Sequence, residues 1–203
     1  VLLLLMSAAA AAQAPVAEPC EVHVWQTTSY ISGSPAPYAA YGLLGAALQG
    51  AHDSKYPANS VVGLMAYELR PEALGPLIES APWGQYLSAQ SVRAIIEPVI
   101  VDKDRIKTLR AVSTRNSAST AACYVELYLS DQTFEGGFVK SHLFNNFTVR
   151  QFGSGYTVGN AIVWSELKQF PAKDEATLPI ARQNFQKAFL ENLGKFLGKK
   201  LKR

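Results

Sequence analysis

Two segments about a hundred residues apart share one pattern, and it constrains this chain more than any other feature. Cys20-Glu21-Val22-His23-Val24-Trp25 and Cys123-Tyr124-Val125-Glu126-Leu127-Tyr128-Leu129 both alternate with period two. Cys20 falls on the same side as Val22 and Val24, and Cys123 on the same side as Val125, Leu127 and Leu129. Such alternation belongs to half-buried strands, so both thiols should point inward. It favours an antiparallel or mixed sheet with unequal faces over an all-parallel sheet, whose strands read as continuous apolar runs.

Whether the two thiols pair depends on the compartment, and the start of the chain speaks to that. Residues 1–14, VLLLLMSAAAAAQA, carry no charge and pass from an apolar run to small residues ending in Ala-Gln-Ala. This is the form of a secretory leader, with cleavage expected between Ala14 and Pro15. The basic segment that ordinarily opens a leader is missing, so the sequence is expected to begin inside a longer precursor. An Ala-rich helix belonging to the fold is the alternative. The run is shorter than the roughly 20 apolar residues a bilayer span requires. Acylation at Cys20 is disfavoured by Ala17-Glu18-Pro19 before it, where small or apolar residues are needed. In an oxidising compartment Cys20 and Cys123 are expected to form one disulfide. The chain-entropy model assigns such a long loop about 4.7 kcal/mol. Two buried free thiols are the alternative.

Composition sets the scale of what remains. With 203 residues, 48% hydrophobic and 17% charged, the chain suits one ordered domain over residues 15–203 and excludes collagen-like, disulfide-dense and charge-rich disordered classes. A formal net charge of +3 gives no argument for a nucleic-acid partner. Its distribution is uneven, because residues 182–203 hold seven basic side chains and one acid, while the rest holds twelve basic and fifteen acidic ones.

Local patterns fill in the elements. Residues 38–50 read as a short helix, 61–69 as strand or helix with strand favoured as far as Tyr67, and 71–80 as a helix interrupted at Gly75-Pro76. Residues 92–101 favour a strand, with Pro98 at an edge or bulge. Asp104 is the expected cap of a helix through Arg110, and the Ser/Thr/Asn-rich stretch 113–120 reads as a mobile connection. Strands 146–152 and 156–164 form a hairpin turning at Gly153-Ser154-Gly155. From Pro179 onward Phe185, Phe189, Leu193, Phe196 and Leu197 fall on one helical stripe. The predicted fold is a single α+β domain, an antiparallel or mixed sheet covered on one face by helices that include the C-terminal one.

Two places carry chemistry worth naming. Lys195, Lys199, Lys200, Lys202 and Arg203 are candidates for contact with an anionic surface, either acidic lipid, acidic polysaccharide or an envelope protein. A solvated helix end is the plain alternative, since cations there are favoured by the exposed carbonyls. Lipid contact through the Phe/Leu stripe would compete with the core for the same side chains. Tyr124, Glu126 and Tyr128 lie on the polar side of the strongest strand and form a candidate binding face if that side is open. They also suit an ordinary half-buried sheet.

Catalytic patterns are weak. His23, His52 and His142 have no ligand spacing, so no metal or other cofactor is expected. His52-Asp53-Ser54-Lys55 is too local to form a triad, and Ser154 sits in a turn rather than a nucleophile elbow. A carboxylate pair drawn from Glu68, Glu72, Glu79 or Glu126 would need about 5–9.5 Å across a cleft. Asn146-Phe147-Thr148 matches a glycosylation pattern. The leading reading is a non-catalytic exported binding or assembly protein, periplasmic or extracellular, without nucleic acid or a transmembrane span. A small exported hydrolase using a carboxylate or serine is the alternative.

Overall fold

The alternating segments pair side by side in a computed structural model that describes residues 18–27, 70–136, 141–153, 156–170, 172 and 174–201. The expected leader, the helix over 38–50 and the strand over 61–69 lie outside the described residues. The elements are β1 (Cys20–Gln26), α1 (Pro71–Glu79), α2 (Trp83–Leu87), β2 (Val92–Ile96), α3 (Lys103–Ala111), β3 (Tyr124–Gly136), β4 (Ser141–Phe152), β5 (Thr157–Leu167) and α4 (Leu178–Lys200). The sheet order is β2-β1-β3-β4-β5. β1 runs parallel to both its neighbours, and the remaining pairs are antiparallel. Parallel neighbours need crossover connections, which is where α1, α2 and α3 occur in the chain. The fold is therefore α+β, a mixed sheet with the C-terminal helix laid across it.

Register sorts the side chains into two layers. Val22 and Val24 align with Val125 and Leu127, which in turn face Gln151 and Val149. With Leu129 and Phe147 they form the core against Leu74 and Ile78 of α1 and Phe185, Phe189, Phe196 and Leu197 of α4. Burying each such side chain is worth about 1.5–3 kcal/mol, and this drives α4 onto the sheet. Phe147 packs between Phe189 and Phe196, with ring centroids 6.1 and 5.3 Å away. Asn192 breaks the apolar stripe and donates to the Leu143 carbonyl and Asn145 Oδ1 at 2.9 and 2.7 Å. The opposite layer is not bare: Ile106 and Leu109 of α3 pack against Trp25 and Tyr128.

β3, β4 and β5 run longer than the sequence patterns predict, and three further differences have a local physical cause. α1 continues through Gly75-Pro76, because Leu74 and Ile78 on either side are fully buried while Pro76 sits on the exposed side. The cap of α3 is Asp102, not Asp104; its carboxylate accepts from the Asp104 amide at 2.9 Å, and Asp104 stands in the first turn paired with Lys107. β2 stops at Ile96, since Pro98 has no N–H to give, and pairing returns only as a bridge between Ile100 and Thr27.

The disulfide joins Cys20 to Cys123 across a Cα separation of 4.6 Å and 103 residues of chain. It sits where β1 and β3 start side by side, next to the bond from the Glu21 amide to the Cys123 carbonyl at 2.9 Å. A sulfur in this bond has no free thiol to carry a lipid. Cys20→Ser paired with Cys123→Ser should lower unfolding stability by about 2–5 kcal/mol. Urea titration of the oxidised wild type beside the double variant checks this, and coincident midpoints would contradict it.

Candidate functional site

Glu126 is a strand carboxylate with apolar residues on either side in sequence, and the sheet places it beneath a lid. Neither it nor Arg150, its cross-strand partner on β4, exposes any surface, and the two are 3.1 Å apart. Both carboxylate oxygens are further satisfied. Tyr124 and Tyr128 donate to them at 2.8 and 2.6 Å, and the Asn116 amide donates at 2.6 Å. The Arg150 guanidinium reaches the other way and donates to the carbonyls of Leu109 and Thr114 at 2.5 and 2.6 Å. Leu109 lies in the last turn of α3, where carbonyls lack intrahelical partners and a cation is favoured. Asn116 Nδ2 donates to the same Leu109 carbonyl at 2.8 Å and to the Tyr128 hydroxyl at 2.5 Å.

The arrangement is a clamp rather than a binding face. Tyr124, Glu126 and Tyr128 are fully buried, which corrects the expectation that this side of β3 is open. The stretch read as a mobile connection covers it, because its backbone and Asn116 supply the partners that a buried charge requires. Burial first, then the bonds to Glu126, push both tyrosine hydroxyls far above their ordinary range, so they remain donors.

A second polar group extends from the clamp. His23 lies 4.8 Å from the Tyr124 ring; its Nδ1 is 2.5 Å from Glu97 and its Nε2 3.2 Å from Glu21. Ser119 donates to the same Glu21 carboxylate at 2.5 Å. The Ser119 hydrogen bond, seconded by His23, holds the Glu21 carboxyl below its usual range. Glu21, His23 and Ser119 thus tie the covering stretch to β1 as Glu126 and Arg150 tie it to β3 and β4.

The expected catalytic residues are not brought together. Glu72 and Glu79 are exposed on α1, and Glu126 is enclosed with Arg150 rather than set in a cleft. His52, Asp53, Ser54, Glu68 and Ser154 lie outside the described residues. Asn146-Phe147-Thr148 runs through β4 with Phe147 and Thr148 buried and Asn146 half-buried.

The basic end of α4 divides into two roles. Lys195 donates to Glu191 at 2.7 Å, the Trp164 carbonyl at 3.1 Å and the Ser165 hydroxyl at 3.0 Å, using all three of its protons. It is a strut between α4 and β5, and that removes it from the free cations. Lys199 is exposed one helical turn further on, and the Lys200 stem lies over Gly159 of β5. A Cβ at Gly159 would stand 2.9–3.1 Å from the Lys200 Cδ, Cβ and Cγ, so any other residue there would displace that stem. Lys202 and Arg203 lie outside the described residues.

No protein-family model matches the chain, and no curated protein does. Among solved structures it is similar to a hypothetical protein from Chlamydia trachomatis, at 9% identity over 89% of this chain and 97% of that one, with a TM-score of 0.33. It is also similar to a lipoprotein from Neisseria meningitidis, at 9% identity over 83% and 96%, with a TM-score of 0.23. Likeness of this degree carries no functional inference.

Two consequences of the clamp are measurable. Arg150→Met should cost about 3–5 kcal/mol by stranding a buried carboxylate, and adding Glu126→Gln should return part of that loss by removing the charge. Urea unfolding of both variants tests this; a double variant weaker than the single one contradicts it. Ser119→Ala should destabilise at neutral pH. Glu21 is held low in the folded state, so its contribution is present above the ordinary carboxylate range and lost as pH falls through its folded value. The gap between variant and wild type should therefore close in acid, as read from unfolding midpoints at stepped pH.

Proposed function

We propose that this chain is a non-catalytic exported protein of the cell envelope, periplasmic or extracellular, working in binding or assembly against an anionic partner. The observation that carries the reading is the Cys20–Cys123 bridge, which forms and persists in oxidising compartments and is rare in the cytosol. The uncharged, apolar-then-small residues 1–14 support it as an export address. No described helix is long and apolar enough to cross a membrane. The concentration of cations after residue 182 supports an anionic partner, whether acidic lipid, acidic polysaccharide or an envelope protein. Among the described residues, Glu126 is held in a structural clamp, which gives no support to the hydrolase alternative.

Fractionation of the native host, with alkylation of free thiols before lysis, tests the reading. The protein should appear in the envelope or medium, shortened at its N-terminus and with neither cysteine alkylated. Recovery from the cytosol with both thiols modified would overturn it.

A further inference from the structure

β5 is one edge of the sheet, and its two faces differ in what covers them. Thr157, Gly159, Ala161, Val163 and Ser165 alternate toward α4, while Val158, Ile162 and Trp164 point to the other side. Those three are 54%, 66% and 53% exposed, large values for apolar side chains on one strand. Tyr156, also exposed, continues the row at one end, and His142 packs edge-on against Trp164 at the other, with centroids 5.0 Å apart. The row runs about 20 Å along the edge. Asn160 stands between Val158 and Ile162 on the same side, and the row is otherwise apolar, the kind of exposed surface that marks an interaction site.

The opposite rim of the same edge is cationic. Lys195 fixes α4 to the strand at Trp164 and Ser165, and the Lys200 stem lies on Gly159. Lys199 stands one turn past Lys195 on the same side of the helix. Lys202 and Arg203 follow in sequence. Two acids stand nearby: Glu191 of α4, which pairs Lys195, and Glu166, which follows Trp164 on the apolar side of β5. The apolar row and the cations flank one edge from its two sides, so a partner that meets both is apolar and anionic at once.

We propose that the β5 edge docks on an anionic lipid bilayer, with Val158, Ile162 and Trp164 entering the headgroup layer and the cations at the end of α4 meeting lipid phosphates. This rests on the envelope location proposed above and commits its anionic partner to lipid. It also resolves a conflict present in the sequence. The Phe/Leu stripe of α4 is in the core, so it is not available to lipid, and β5 supplies a separate apolar row. Peripheral attachment needs both elements, buried apolar area and attraction to anionic headgroups. Trp at the boundary suits the headgroup level.

The oxidised chain is tested by co-sedimentation with vesicles rich in phosphatidylglycerol and with vesicles of phosphatidylcholine alone. Binding should appear with the first and fall with salt. Trp25 and Trp83 are buried, so quenching of tryptophan emission by brominated acyl chains reports on Trp164. Ile162→Ser with Trp164→Ser should weaken binding at least tenfold. Lys199→Gln with Lys200→Gln should weaken it about tenfold or more, each cation near such a surface being worth about fivefold. Far-UV circular dichroism and an intact disulfide show that the variants remain folded. Lack of sedimentation with the anionic vesicles, or binding without quenching, overturns the proposal. So does capture by soluble dextran sulfate that matches vesicle binding and ignores the Ile162 and Trp164 changes. A dimer in analytical ultracentrifugation, lost on changing Ile162 and Trp164 and unaccompanied by vesicle binding, assigns the edge to self-association instead. Each of these failures leaves the envelope reading standing if fractionation finds the protein there oxidised.

Discussion

A carboxylate with no access to water organises the cover over β1, β3 and β4 on one side of this sheet. Glu126 sits on β3 between two neighbours, and its charge has to be met within the protein. Arg150 meets it from β4, two tyrosines from its own strand, and Asn116 from above. Arg150 in turn holds the end of α3 and the backbone at Thr114. Removing any one partner leaves a buried polar group unmatched, so the covering stretch is fixed by charge as the other layer is fixed by apolar area. Such a network costs desolvation that apolar packing would not. What it adds is a defined seat for a segment of Ser, Thr and Asn residues with little apolar surface of its own.

The two layers are stabilised differently, and β1 links them. Val22 and Val24 enter the apolar layer while Glu21, His23 and Trp25 enter the polar one. Its parallel pairing to β2 and β3 depends on long crossovers, which bring a large closure entropy. The disulfide between the beginnings of β1 and β3 removes much of that cost from the unfolded chain. Through Ser119 and Glu21 the covering stretch is then tied to the same strand that the disulfide locks.

Period-two alternation made the Cys20 and Cys123 strands, the hairpin over β4 and β5, and the inward aim of both thiols legible in the sequence. The 3.6-residue stripe from Phe185 to Leu197 likewise announced α4 and the face it buries. Partnership across strands was not legible. Arg150 stands in a segment recognised as strand, but nothing local pairs it with Glu126, 24 residues away. The usable signal was weaker: two polar residues of opposite charge, each on the non-core side of a strand with a strongly apolar opposite side. Composition misled at 113–120, because Ser, Thr and Asn favour mobile loops unless a buried charge needs their hydrogen bonds. The Asp102 cap was missed for a narrower reason, since two acids two residues apart offer the same local chemistry and only backbone geometry separates them.

Among the described residues, element length explains why apolar side chains stay exposed on β5. α4 has 23 residues and spans about 34 Å, enough to cross the apolar face of β4 and β5. α3 has nine residues and spans about 13 Å, so with the stretch behind it the opposite face is covered near β1 and β3. α3 is seated on Trp25 of β1 and Tyr128 of β3, and β5 lies two strands beyond β3, about 10 Å further along the sheet. A bare sheet face is ordinarily given polar residues, as Asn160 is placed here. Val158, Ile162 and Trp164 occupy the same face instead, beside a strand edge whose other side Lys195 and Lys200 hold against the helix. Among the described elements, short α3 leaves this side of β5 open, and the residue choice on β5 gives it an affinity for something apolar.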